Sequence, residues 1–254
     1  MINRLIFSIA LIVVLFWLEG VFPHFKGRKH RLRHAFPNII LASMNGIISS
    51  LLFAGLILFV IHFSEKNSFG IVRILDVPLF AKGIIAFLLF DFWMYLWHRA
   101  NHEIPFLWRF HRVHHNDIEM DTTTALRFHP MEMIFSSMLR LVVIPLIGID
   151  VFVLVIYEMC LQLVVFFHHS NIGLQERWDR LIRLCIVTPN MHRVHHSKER
   201  DETDSNYSTI FSFWDRILHT FKKSENTLSI TLGLKKFREY KWHQLKGMLI
   251  LPFK

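Results

Sequence analysis

Long uncharged apolar runs dominate the hydropathy pattern of the chain. Residues 39–63 form the clearest run, 25 residues without an ionised side chain, which is long enough to cross a hydrocarbon core of about 30 Å with some tilt. Residues 5–18 form a shorter run directly after Arg4. Bulky residues follow this run where a signal peptidase would need small ones, so we predict an uncleaved membrane anchor with Arg4 at the interface.

Three further apolar runs are interrupted by charges: residues 77–97, 133–149 and 151–167. The first of them contains Lys82 and Asp91 and predicts another span. The other two are shorter and carry one charge each, Arg140 and Glu158, which can pair with each other. These two runs form either a tilted hairpin or a buried helix pair that does not fully cross the membrane.

The distribution of basic residues predicts the orientation in the membrane. Positively charged loops tend to stay on the cytoplasmic side, and such a loop separates the first two runs. The next loop, residues 64–76, is nearly charge-balanced and is expected outside, so the third span returns to the cytoplasm at His98. We therefore predict an all-α, multi-pass integral membrane protein with four or five transmembrane or membrane-embedded helices, and we expect the polar segments after His98 on the cytoplasmic side. The basic residues of the first loop are Lys26, Arg28, Lys29, Arg31 and Arg33.

Composition agrees with a membrane protein. Hydrophobic residues make up 52% of the 254 residues, charged residues only 19%, and the mean hydropathy is +0.34. The formal net charge of +9 fits basic loops beside an anionic lipid leaflet better than nucleic-acid binding, because no basic cluster lies on a soluble module. Two cysteines are too few for a disulfide framework or a cysteine-rich metal site.

Histidines supply the candidate chemistry. Seventeen occur in the chain, and eleven of them lie between residues 98 and 196. One pair is spaced four residues apart, and the pentapeptide His-Arg-Val-His-His occurs twice, 81 residues apart. Spacings of three and four place side chains on one face of a helix. The eight motif histidines are His98, His102, His111, His114, His115, His192, His195 and His196.

Eight clustered imidazoles indicate metal binding. Neutral imidazole is a ligand for iron, zinc, copper and nickel, and eight ligands are more than one ion can bind, so the simplest interpretation is two metal ions. Since all three motifs fall on the predicted cytoplasmic side, we predict a helical, histidine-rich metal-binding cap on that side of the membrane helices. Other metal chemistries fit less well. The chain contains no His-Glu-x-x-His zinc-peptidase motif and no Glu-x-x-His pairs of a carboxylate-rich di-iron bundle, and haem would need only one or two of these histidines.

The three motifs, HxxxH and two copies of HxxHH, resemble those of the fatty acid hydroxylase and sterol desaturase superfamily of membrane di-iron proteins. The segments around them are similar as well, from about residue 80 to residue 221: Asp91–Arg99, Leu107–His111, Thr124–Pro130, His169–Asn171, Thr188–His192, Asp204–Tyr207 and Phe213–Asp215. The resemblance divides the chain into N-terminal membrane anchor segments (residues 1–79), a di-iron domain (80–221) and a membrane-surface tail (222–254).

The resemblance implies an enzyme with two iron ions that uses O2 to hydroxylate or desaturate an unactivated C–H bond of a lipid. It also implies an external electron donor. Because the chain is short, we expect a separate electron-transfer protein (a reductase, or a cytochrome b5-like or ferredoxin-like protein) rather than a fused module. Histidine ligands alone do not select iron over zinc. A zinc-loaded or non-oxygenase metalloprotein on the same fold is therefore the alternative. A non-enzymatic membrane metal-binding or transport protein fits less well, because residues 39–63 contain essentially no metal-liganding side chains and the clustered histidines lie elsewhere.

The resemblance also points to further site residues. It implies a ligand at His169, and the sterol desaturase branch has a histidine in the position of His129, so both are expected to complete the nitrogen shell. His168 is expected to pack beside the site. Asp91 lies seven residues before His98 on nearly the same helical face, and it either orients a ligating imidazole or pairs with an arginine such as Arg109 or Arg127. The lipid substrate stays open between a fatty acyl chain, a sterol-like ring, an ether lipid and a carotenoid.

Overall fold

The computed structural model describes residues 2–254, with side chains from residue 6 onward. The predicted interfacial position of Arg4 lies outside the described side chains. Helices and turns account for the regular structure of the described residues, and extended pairing is limited there to isolated antiparallel bridges, 23 with 172, 186 with 211 and 197 with 232. The predicted all-α class is confirmed.

The long helices carry most of the apolar runs. They are α1 (Ile2–Val21), α2 (Arg31–Lys66), α4 (Leu79–Glu103), α6 (Pro130–Ile147) and α7 (Val151–His169). Shorter α-helices connect them or form the cap: α3 (Ile71–Ile74), α5 (Pro105–His115), α8 (Glu176–Ile182), α9 (Pro189–His195), α10 (Arg200–Thr203), α11 (Phe213–Ile217) and α12 (Leu245–Ile250). Four 3-10 turns complete the described elements: Thr122–Leu126, Thr227–Ser229, Tyr240–His243 and Leu251–Phe253.

Within the described residues, four helical segments are long and apolar enough to cross a membrane. They are α2 continued through α3, then α4, α6 and α7, while the described part of α1 is a shorter apolar helix. Many of their large apolar side chains point outward; Leu51, Phe59 and Phe80 are among those exposed. Such surfaces are stable against lipid rather than water. The described residues thus confirm the predicted membrane helices.

Helix ends differ from the apolar runs that predict them. Helix α4 begins after Pro78 and continues past the run to Glu103, so that it includes both histidines of the HxxxH motif. Helix α6 ends at Ile147 because Gly148 adopts a left-handed conformation, with φ of 85°. A Cβ at Gly70 would lie only 2.5 Å from the Gly148 Cα, so this close approach of two turns requires glycine.

The charged residues inside α6 and α7 pair with each other. Arg140 donates to the Glu158 carboxylate, and both side chains are largely shielded. Around this pair, Phe90, Ile144 and Tyr157 form part of the main apolar core between α4, α6 and α7. The pairing expected of these two charges is confirmed, and it removes most of the cost of placing them in apolar helices.

The C-terminal tail packs onto the cap. Met248 and Leu251 are fully buried against Leu41 of α2 and Val113 of α5. The backbone carbonyl of Pro252 accepts a hydrogen bond from Arg109 at 2.9 Å. This side of the tail therefore supports the helix that carries the second histidine motif.

Candidate metal centre

Nine buried or nearly buried histidines converge into two neighbouring groups. Within each group, one ring nitrogen from every histidine lies within 4.8 Å of the corresponding nitrogen of the others. The structure thus brings all eight motif histidines together with His169. The first group contains five residues, His98, His102, His111, His115 and His195, and the second contains four, His114, His169, His192 and His196.

The two HxxHH motifs divide their histidines between the groups in opposite ways. Helix α5 sends His111 and His115, one turn apart, to the first group and His114 to the second. Helix α9 sends His195 to the first group, while His192 and His196 go to the second. Residues four apart share a helical face, whereas the third histidine projects to one side of that face. Two crossed copies of one pentapeptide therefore build two adjacent sites.

Backbone carbonyls fix the tautomer of several imidazoles. The Nδ1 atom of His98 lies 2.8 Å from the carbonyl oxygen of Tyr207, that of His169 lies 2.7 Å from Val165, and that of His195 lies 2.6 Å from Ser205. A carbonyl oxygen can only accept, so each Nδ1 carries the proton and donates it. The Nε2 atom of each neutral ring is then an unprotonated lone pair directed into the centre.

These lone pairs face each other at distances that a metal ion explains. His98 Nε2 and His195 Nε2 are 3.1 Å apart with no proton between them, and His169 Nε2 lies 3.0 Å from both His114 Nε2 and His192 Nε2. Two ligands at a right angle on one metal with bonds of about 2.1 Å are about 3 Å apart. A shared cation removes the repulsion that the lone pairs would otherwise feel.

Unpartnered nitrogen atoms support the same conclusion. Buried polar atoms are nearly always hydrogen-bonded, so orphaned ones need an explanation. Among the described residues, the Nε2 atoms of His102 and His111 and both ring nitrogens of His115 are buried without a hydrogen-bond partner. All three residues belong to the first group, where the orphaned atoms are available as ligands. The donor set therefore fits two metal ions bound by nitrogen.

Burial keeps the cap histidines in the neutral form that binds metals. Desolvation of the charged form is the largest cause of their lowered pKa, and neighbouring imidazoles add to the effect because charged rings would repel each other. Both effects lower the pKa well below its ordinary value, so these rings are neutral at pH 7 and can bind a metal. The histidines concerned are His114, His115, His192, His195 and His196.

Two carboxylates that the sequence patterns did not assign to the site contact histidines of the first group. Glu132, in the first turn of α6, lies 2.7 Å from His111 Nδ1, and both side chains are buried. Asp204 lies 3.4 Å from His102 Nδ1 and is partly exposed. A carboxylate on the far nitrogen orients an imidazole and makes it a stronger ligand. The only feature of the sequence that pointed to Glu132 is its position directly before the apolar run 133–149, three residues after His129.

Comparison with known proteins agrees with this geometry. Residues 83–220, more than half of the chain, match the fatty acid hydroxylase family. The chain belongs to this family. The resemblance drawn from the three histidine motifs is therefore confirmed.

Several curated relatives act on lipids according to their names. The chain is 27% identical to an ornithine lipid hydroxylase of Rhizobium tropici over 62% of this chain and 46% of that protein. It is 32% identical to human alkylglycerol monooxygenase over 54% of this chain and 30% of that protein. It is 27% identical to mouse cholesterol 25-hydroxylase over 58% of this chain and 49% of that protein. The chain thus spans less than half the length of these relatives, and no solved structure matches it significantly.

His129 and His168 lie outside both histidine groups of this family member. His129 accepts a hydrogen bond from the Met131 backbone at the start of α6, and its other nitrogen donates to the Leu249 carbonyl at 3.2 Å. Both of its nitrogens are therefore engaged away from the centre, and the structure does not bring it to the ligand shell. His168 is buried against His192, with ring centroids 4.0 Å apart.

Asp91 contacts neither a ligand histidine nor an arginine, in contrast to both roles that the sequence suggested. It is fully buried and accepts hydrogen bonds from four donors of other elements. Arg109 and Arg127 bind backbone carbonyls of Pro252 and Val113 instead. Asp91 thus ties the chain around residue 211 to α4. Its donors are the Tyr157 and Thr209 hydroxyls, the Phe211 backbone and the Trp214 indole, at 2.8–3.2 Å.

Proposed function

We propose that this family member is a membrane-bound di-iron oxidoreductase that uses O2 to hydroxylate, or to desaturate, a C–H bond of a lipid. The observation that carries the proposal is the pair of adjacent, buried, all-histidine groups at the ends of membrane helices. Family membership and the names of the relatives, lipid hydroxylases and monooxygenases, support this reaction class.

The proposed ligands are the nine histidines of the two groups; His129 is left out. Bound there, two iron ions would supply reductive activation of O2 for oxidation of a C–H bond. The protein's own contribution is positional. Backbone carbonyls hold the Nδ1 protons of His98, His169 and His195, so the Nε2 lone pairs are oriented before metal binds. Nearly complete burial of the rings excludes bulk water.

The position of the groups along the helices favours a lipid substrate. His98 lies 19 residues after Leu79 and His169 lies 18 residues after Val151, which corresponds to about 28 Å and about 27 Å along each helix. A hydrocarbon core is about 30 Å thick, so both metal groups would lie next to one membrane interface. An acyl chain or an alkyl side chain in that leaflet can reach the centre without leaving the membrane.

The basic loop between α1 and α2 favours the cytoplasmic side for this interface, where a separate electron-transfer protein can bind. A reductase, a cytochrome b5-like protein or a ferredoxin-like protein would supply the two electrons. The proposal also keeps residues 80–221 as the unit that carries the chemistry, with membrane segments before it and a supporting tail after it.

Metal analysis of detergent-purified protein tests the proposal. We expect about two irons per chain, one for each histidine group, and loss of iron in a variant with both His111→Ala and His195→Ala. His30→Ala changes an exposed histidine away from the site and is the matched control. Stoichiometric zinc alone, or no bound metal after anaerobic reconstitution with iron, would contradict O2 chemistry and favour a zinc-loaded or non-oxygenase protein.

Product analysis separates the two reactions. Lipids extracted from cells that express the protein should gain one oxygen atom if it hydroxylates and lose two hydrogen atoms if it desaturates. Mass spectrometry against cells with the His111→Ala, His195→Ala variant identifies which lipid class changes. The same comparison distinguishes a fatty acyl chain, a sterol-like ring, an ether lipid and a carotenoid as substrates.

A further inference from the structure

An exposed apolar surface lies on the cap, outside the candidate membrane spans. It is formed by Trp178, Leu181, Leu184 and Ile217, whose exposed fractions are 49%, 55%, 59% and 60%, and we call it the apolar patch. The first two residues lie on α8, Leu184 follows that helix, and Ile217 ends α11. Contiguous large apolar side chains on a surface mark a site that contacts another apolar phase.

Backbone hydrogen bonds connect this patch to a segment that reaches deep along α4. The Ser212 N–H donates to the Cys185 carbonyl at 3.1 Å, and the Val187 N–H donates to the Ile210 carbonyl at 3.0 Å. These bonds lie around an isolated antiparallel bridge between Ile186 and Phe211, and we call the bonded residues, 185–187 and 210–212, the bridged pair. Leu184 directly precedes the bridged pair, and Ile217 ends the short helix α11 that follows it, so the depth of the bridged pair indicates the depth of this part of the patch.

Contacts with α4 show how deep the bridged pair lies. The Phe211 backbone and the Trp214 indole donate to Asp91, which precedes His98 by seven residues, or about 10 Å along the helix. The Phe211 ring lies 6.0 Å from that of Phe87, which precedes His98 by eleven residues, or about 16 Å. Both α4 residues lie within a candidate membrane span. The bridged pair is thus beside the membrane-spanning part of α4, on the lipid side of the histidines.

The charged residues next to the apolar patch also fit contact with a membrane. The acidic residues of α8 are already paired, since Glu176 and Asp179 bind Arg183. Arg177 and Arg180 are exposed, and the Arg177 guanidinium lies over the Trp178 ring. An apolar surface rimmed by an aromatic residue and by arginines is typical of a helix in the headgroup region of a bilayer.

We propose that the apolar patch is immersed in the lipid leaflet nearest to the histidines, with Arg177 and Arg180 binding phospholipid phosphates. The cap is then held in the membrane by an interfacial helix in addition to the spans, and the histidine groups cannot rise away from the bilayer. This proposal concerns membrane contact alone and does not depend on the oxidation reaction.

Cys185 offers a direct test because it is exposed and adjoins Leu184. A fluorescent label is attached to Cys185 in a Cys160→Ala variant, and the protein is reconstituted into phosphatidylcholine vesicles containing anionic phosphatidylglycerol. We expect spin-labelled lipids to quench this label about twofold or more better than aqueous iodide does. The matched control is a label at Asp201→Cys, an exposed position on α10, in a Cys160→Ala, Cys185→Ser background, where iodide should quench better. Helix α10 contacts the carbonyl of His102, on the side of His98 away from the membrane span.

Each other result overturns the proposal. Quenching of Cys185 by iodide as efficient as at the control position would place the patch in water. Shielding from both quenchers would place it against a second copy of the chain. The arginine contribution has its own readout: lipid quenching at Cys185 should rise with phosphatidylglycerol content and lose this dependence in Arg177→Gln, Arg180→Gln. Equal dependence in both proteins would remove the phosphate contacts from the proposal.

Discussion

Glu132 shows how a single carboxylate influences a ligand histidine. His111 is held through Nδ1 by Glu132, whereas His98, His169 and His195 donate Nδ1 to backbone carbonyls. A charged acceptor strengthens the hydrogen bond and increases the electron density at Nε2. Among the described ligands, His111 is therefore the one whose metal affinity depends most on a replaceable side chain.

We predict that Glu132→Ala lowers metal affinity by about 10- to 100-fold, because His111 loses both its orientation and its charged partner. Glu132→Gln should lose less, since the amide oxygen still accepts the Nδ1 proton. Competition with a chelator of known affinity measures both variants. Glu119→Gln, at an exposed glutamate of the neighbouring loop, is the control. Unchanged affinity in Glu132→Ala would show that the carboxylate does not support the metal ligand.

The residue scale is also where sequence reasoning succeeded and failed most clearly. A spacing of four predicted correctly that His111 and His115 share a helical face, because that relation is local to one helix. The prediction that all three histidines of each HxxHH motif share one face was too simple, since the middle histidine of each motif belongs to the other group. Which histidine joins which group depends on how α5 and α9 cross, and no local pattern contains that information. The partners of Asp91 were not predictable for the same reason, since three of its four donors lie 118–123 residues later in the chain. His129 had a plausible motif, yet its position as the cap of α6 directs it elsewhere.

At the scale of elements, Asp91 acts as the junction between a membrane helix and the cap. Its carboxylate receives four hydrogen bonds from α7, from α11 and from the segment that precedes α11. A buried carboxyl group is stable only when hydrogen-bond partners surround it, and these four donors satisfy both of its oxygens without an arginine. The apolar runs alone predicted the helices but not this connection between them.

Asp91→Ala should destabilise the fold by about 3 kcal/mol or more, because it leaves buried donors of three other segments without an acceptor, among them the obligate N–H donors of Phe211 and Trp214. Thermal unfolding of the detergent-solubilised protein measures the change. Metal affinity per folded chain should stay close to that of the unmodified protein, since Asp91 contacts no ligand histidine. Asp76→Ala, at an exposed loop position, is the matched control. A large loss of metal with unchanged thermal stability would contradict the structural role.

For the whole molecule, the membrane helices were predictable because their length and lack of charge are requirements of the bilayer itself. The ends of the helices were less predictable. Helix α4 extends to Glu103 because Asn101 and His102 in its last turns are buried in the cap, where tertiary contacts replace lipid. The cap is assembled from short helices between long irregular segments, and no long apolar run in the sequence predicts these helices.

The basic residues between α1 and α2 predict how the whole molecule is oriented in the membrane. A cytoplasmic position of the basic residues before α2 and in its first turn places the histidine groups on the same side and the turn around Ser68 outside. These basic residues are Lys26, Arg28, Lys29, Arg31 and Arg33. Alkaline phosphatase inserted after Asn67 should then be active in a bacterial host, and a green fluorescent protein inserted after Glu225 should fluoresce. Phosphatase activity at Glu225 and none at Asn67 would reverse the orientation. Electron donors on the cytoplasmic side could then not reach the centre.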